Sequence, residues 1–158
     1  MLVTESMYGI VNMEPHSRIK SFRDLSVYRT LYASCITVMR EILPLLPPEE
    51  QDDLRDQLSR SAKAAPRLVA EGYAKRHQRR GFQKYLDDAL AECNECIVSL
   101  EQVRDLYSGR PEKFSALLDD YDKCARQLYK LTIAWSNFSS PNRSSMPSNE
   151  TSIDTPTV

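Results

Sequence analysis

The chain has 158 residues, enough for one domain with a sizeable core. Charged residues make up 27% and hydrophobic residues 41%, which excludes a chain too polar to bury a core, and no apolar run reaches the roughly 20 residues of a membrane span. The net charge of −1 divides into +4 over residues 1–86 and −5 over residues 87–158, so the molecule is dipolar and cannot be a polycation that coats nucleic acid on every side.

Residues 1–20 show no clear periodicity and read as a loose arm. They lack the basic start and long apolar stretch of a signal peptide, so the expected location is the cytoplasm, with the four cysteines reduced. The first predicted helix runs from about Asp24 to Leu43. Leu25, Tyr28, Tyr32, Cys35, Ile36, Met39 and Leu43 keep helical spacing and form its expected core face. Val27, Leu31 and Val38 form a second apolar stripe about 100° around the helix. Two readings of that stripe stay open, ordinary surface hydrophobicity and a contact with another subunit.

Leu45-Leu46-Pro47-Pro48 ends the first helix, and Pro48 suits the first position of a second because its missing N–H would have no partner there. Glu49, Glu50, Asp52 and Asp53 follow at the positive end of that helix. Its expected buried face is Leu54, Leu58, Ser61, Ala62, Ala65, Val69 and Tyr73. Pro66 removes an N–H inside the helix and predicts a kink. Gly72 costs up to about 1 kcal/mol against Ala in a helix interior, so its presence implies crowding. Glu71 stands four residues from both Arg67 and Lys75, the spacing of an ion-pair ladder. The Ala/Gly surface suits either a helix-to-helix or a subunit contact.

The turn that follows collects Lys75, Arg76, Arg79, Arg80 and Lys84 around His77. Lys75 and Arg76 fall at the end of the second helix, where the dipole favours cations. Arg79 and Arg80 open the third helix, the electrically wrong end, at about 0.3–1 kcal/mol each. A helix N-terminus beside several cations suits phosphate, and Arg67 and Lys63 extend the patch along the second helix. With few exposed aromatics expected nearby, stacking on single strands is disfavoured and backbone binding to RNA or DNA is the reading. A merely solubilising turn is the competing one.

The third predicted helix spans about Gln78 to Tyr107, with Phe82, Tyr85, Leu86, Ala89, Leu90, Cys93, Cys96, Ile97, Leu100 and Val103 inward. Gly109 and Pro111 stop it and start a fourth, whose inward residues are Phe114, Leu117, Leu118, Tyr121, Cys124, Ala125, Leu128, Leu131 and Trp135. Tyr28, Tyr32, Tyr73, Tyr85, Tyr121 and Trp135 are all expected in the core. Residues 139–158 are mostly Ser, Thr and Pro and are expected to be a disordered tail. The fold class is therefore all-α: an up-down-up-down antiparallel four-helix bundle over residues 21–138.

Catalytic chemistry is not visible. Cys93 and Cys96 match Cys-x-x-Cys, yet they fall mid-helix and not at the helix N-terminus that activates a redox pair. With Cys35 and Cys124 they could form a four-sulfur zinc site, but paired Cys-x-x-Cys knuckles are lacking and buried structural thiols are expected. Only His16 and His77 exist, so a di-iron carboxylate bundle fails. Glu92, Glu95 and Asp88 read as a solvated face. The expectation is no enzyme, no cofactor, no metal and no membrane partner.

The run "SFRDLSVYRTLY" resembles the opening of the four-helix-bundle proteins encoded within intervening sequences of bacterial large-subunit rRNA genes. "DQLSRSAKAAPRLVAEGYAKR" is similar to that family's second helix and "FQKYLDDALAECNECIVSLEQV" to its third, over roughly residues 21–136 in all. Leu68 stands where the family usually has Asn, and the turn into the third helix is one residue longer. The resemblance implies a homopentameric barrel and a relation to the accessory variability proteins of diversity-generating retroelements. Those proteins associate with RNA and a reverse transcriptase, and no enzymatic activity is established for the family. Two functions are carried forward: binding of nucleic acid or a ribonucleoprotein through the basic turn, or a protein-binding scaffold without nucleic acid.

Overall fold

The computed structural model describes residues 19–110 and 112–138. The arm expected at 1–20 lies outside these residues apart from Ile19 and Lys20, as do Pro111 and the tail expected at 139–158. Among the described residues there are four long helices and no strand.

A 3-10 turn, Phe22–Asp24, opens the fold. Ser21 caps it, and the Asp24 carboxylate accepts from the Lys20 and Ser21 amides at 2.8 Å each. Those two amide bonds hold Asp24 below the usual carboxylate range. Helix α1 then runs Ser26–Thr37 and widens into a π-helical turn, Val38–Ile42, closed by the Leu43 amide on the Val38 carbonyl. A 3-10 turn, Leu43–Leu45, follows where Pro44 removes a donor. The single helix expected to Leu43 is thus three helical forms in series.

Helix α2 spans Leu54–Ala74, preceded by a 3-10 turn at Pro48–Glu50. Helix α3 spans Arg79–Tyr107 and α4 spans Glu112–Phe138. Helix α2 packs on α3, α3 on α4, and α1 on both α2 and α4. One core of buried side chains runs through all four, including Leu31, Leu58, Val69, Leu86, Leu100, Phe114 and Leu128.

The inward face of this first helical segment includes Leu25, Cys35 and Leu43, as expected, but extends to the second stripe and leaves Tyr32 out. Val27, Leu31 and Val38 are 1%, 0% and 0% exposed, while Tyr32 is 54% exposed. The stripe assigned to a possible subunit contact is the core, and Tyr32 points outward. Val and Leu bury with no polar atom to satisfy, whereas an outward Tyr32 leaves its hydroxyl in water. Tyr28 is half-buried and stacks on Tyr32 at 6.1 Å. The other expected core aromatics also divide: Tyr121 is fully buried, and Tyr73, Tyr85 and Trp135 are half-buried.

Helix α2 runs through Pro66 as one continuous helix, with the proline itself buried. The small residues serve contact within the chain. A Cβ on Gly72 would meet Tyr85 Cβ at 2.8 Å and Phe82 Cδ2 at 3.1 Å, so glycine permits the close approach of α2 and α3. Glu71 pairs with neither Arg67 nor Lys75 within 4 Å; Lys75 turns to Tyr85 instead.

Candidate nucleic-acid interface

The turn between α2 and α3 is three residues of non-helical chain plus the cap, closed by the Gln78 amide donating to the Lys75 carbonyl at 2.8 Å. Gln78 is the N-cap of α3, and its side chain makes no capping bond. No acidic residue stands in the first turn of this 29-residue helix. Its positive end therefore carries Arg79 and Arg80 in a first turn whose sequence holds no carboxylate.

Two cations of the turn lie on aromatic rings. The Arg76 guanidinium lies over the Tyr73 ring at 4.2 Å, and its Nη1 donates to the Tyr73 carbonyl at 2.9 Å. Lys75 Nζ donates to the Tyr85 hydroxyl at 2.6 Å and lies 4.7 Å from that ring. Arg80 is exposed; the side chain of Arg79 lies outside the described residues. Lys84 differs from the rest, because Asp88 accepts from it at 2.5 Å and this bond holds its ammonium above the usual value. Lys84 is therefore partly neutralised by its own helix.

Arg67 and Lys63 are exposed on α2. At about 1.5 Å per residue they stand about 12 and 18 Å along the helix from Lys75. Lys63 bears electrostatically on Cys35 of α1. Lys75, Arg76 and Arg80 are exposed in the turn and at the start of α3.

Sequence reasoning missed the aromatics here. Tyr73, Phe82 and Tyr85 flank the turn closely enough in sequence to have signalled it. Trp135 arrives from α4 and meets Phe82 edge-to-face at 4.7 Å, a contact that only packing creates. Tyr73, Arg76, Phe82, Leu131 and Trp135, with Ile19 and Leu25, line an apolar cleft of about 220 Å3. A larger cleft of about 460 Å3 shares Ile19, Leu25 and Leu131 and continues between the start of α1 and α4.

The four cysteines are free and buried. Burial pushes Cys96 and Cys124 up to about 12 and Cys93 higher still. Such thiols are poor nucleophiles. Among the described residues no group of His, Cys, Asp or Glu is placed to hold a metal ion. No helix among the described residues is long and apolar enough to cross a membrane.

Fold and site together define an all-α, four-helix protein with a cation-rich corner set on aromatic rings. The family model described as 23S rRNA-intervening sequence protein matches residues 23–130, more than half of the chain. The chain belongs to that family. No curated protein and no solved structure matches the chain significantly.

Proposed function

We propose that the protein is a non-enzymatic, oligomeric helical bundle that binds RNA through the turn between α2 and α3. In this reading the helices run up-down-up-down, the assembly is a homopentamer, and a reverse transcriptase or another ribonucleoprotein component is the protein partner. The observation that carries the reading is the charge of the turn: exposed Lys75, Arg76 and Arg80 stand in or beside a helix N-terminus that has no acidic residue in its first turn. A cationic corner beside a helix N-terminus suits phosphate, and repetition of it around an oligomer multiplies weak contacts. Membership of a family named for rRNA intervening sequences supports an RNA-related role.

A mobility-shift titration with RNA of mixed sequence at low salt tests the reading. Wild type shifts the RNA, and the combined Arg76→Glu, Arg79→Glu and Arg80→Glu variant does not. The reading fails if wild type gives no shift. A protein-binding scaffold is then favoured by Val98 and Leu106, apolar side chains of α3 left 53% and 67% exposed.

A further inference from the structure

We propose that the cleft beside Arg76 receives one unpaired nucleobase of a single-stranded RNA whose phosphates lie on the basic turn. The inference rests on the reading of that turn as an RNA site and names the part of the RNA it takes. The cleft combines two chemistries that a nucleotide also combines. Tyr73, Phe82 and Trp135 line it beside three aliphatic side chains, and Arg76 is its cation. A base offers a flat apolar face, and the phosphate attached to it is anionic. Bases splayed from single strands stack on aromatic rings and on guanidinium planes.

Arg76 supplies such a plane. It lines the cleft, and its carbonyl bond and the Tyr73 ring beneath hold the guanidinium in position. The volume of about 220 Å3 falls below the ~300 Å3 at which pockets begin to hold whole small ligands. A single ring system fits that space, and the sugar and phosphate remain outside near Lys75 and Arg80. A duplex offers no free base to the cleft, because its bases are stacked and its deep groove is closed to side chains. This revises the expectation from sequence that stacking is disfavoured at the turn.

Trp135 is the only tryptophan of the chain, so its emission reports on the cleft directly. The experiment compares an octa-adenylate RNA, an abasic strand of the same length and charge, and a short RNA duplex. Anisotropy reads affinity, and Trp135 emission reads the cleft. The adenylate strand is expected to quench Trp135 and to bind about five- to 150-fold tighter than the abasic strand. The duplex and the abasic strand leave the emission unchanged. Arg76→Lys keeps the charge and loses the plane, so the ratio of adenylate to abasic-strand affinity falls toward one, whatever happens to the abasic-strand affinity itself. Tyr73→Leu, which keeps apolar bulk, gives the same pattern.

Equal affinity for adenylate and abasic strands with unchanged emission overturns the cleft proposal while the basic-turn reading stands. Absence of binding by all three at low salt removes both. The cleft proposal also falls if deleting residues 1–18 is needed before adenylate changes the emission, since the chain itself is then the occupant.

Discussion

Gly72 and Tyr85 hold α2 and α3 at near-backbone contact: a Cβ on Gly72 would stand 2.8 Å from the Tyr85 Cβ. Helix propensity alone favours Gly72→Ala by about 1 kcal/mol. Overpacking costs about 1–3 kcal/mol, and the atom in the way is a Cβ that cannot swing aside. The variant is therefore expected to be less stable by about 1 kcal/mol in urea denaturation. A midpoint at or above wild type would show that the two helices can part without loss.

Tyr121 is fully buried, and its hydroxyl meets no oxygen or nitrogen partner, only the weakly bonding thiol of Cys96. The groups that bear on it electrostatically are the thiols of Cys96, Cys35 and Cys93. An unsatisfied buried hydroxyl costs about 1–3 kcal/mol. Tyr121→Phe keeps the ring and removes that cost, so its unfolding midpoint should rise. A lower midpoint would mean that the bond to the Cys96 thiol is worth more than the desolvation of the hydroxyl.

The thiols set a pH dependence with a definite sign. In the unfolded chain they ionise near 9.0, whereas burial pushes Cys96 and Cys124 up to about 12 in the folded protein. The folded state then holds more protons than the unfolded one between these values. Stability from this source is fully present below pH 9 and falls above it, by about 1.4 kcal/mol per pH unit for each thiol. Urea midpoints between pH 7 and 10 check this. Cys96→Ala should flatten the alkaline fall, and an unchanged slope would remove the buried thiol as its cause.

Arg80 is exposed at the uncapped start of α3. If it contacts one phosphate, Arg80→Gln should make the slope of log affinity against log salt about 0.7 less negative for single-stranded RNA. Binding weakens similarly for every sequence. A change confined to particular sequences would mean that Arg80 reads bases.

Self-association is expected to use side chains that the fold leaves outside. Tyr32 on α1 is 54% exposed, and Tyr129 and Ile133 share one stripe of α4. Tyr32→Glu should shift sedimentation toward the monomer with an unchanged helical circular dichroism spectrum. Wild type sedimenting as a stable monomer at micromolar concentration would rule out the oligomer.

Helix positions were legible because apolar spacing is a property of consecutive residues. The buried face of α2 is the expected one from Leu54 to Val69. Around α1 the same method found Leu25, Cys35 and Leu43 but misplaced Tyr32 and left the second stripe open, because two apolar stripes compete and tyrosine counts as apolar in a periodicity. Which stripe turns inward depends on α2 and α4, and neither is local to α1. The cations of the turn were legible for the same local reason. Their aromatic bed was not, since Trp135 joins it only through tertiary packing.

The π turn at Val38–Ile42 has a bearing on chain length. Such a turn carries one residue more than the α-helix it interrupts. Arg40 and Glu41 are exposed within it, so either can be removed without taking a side chain from the core. The shortened segment would rewind as ordinary α-helix and deliver Leu43 and Leu46 to their present sites. Homologous chains one residue shorter at this point can thus keep the same core, and an alignment gap there would record a change of winding and no change of fold.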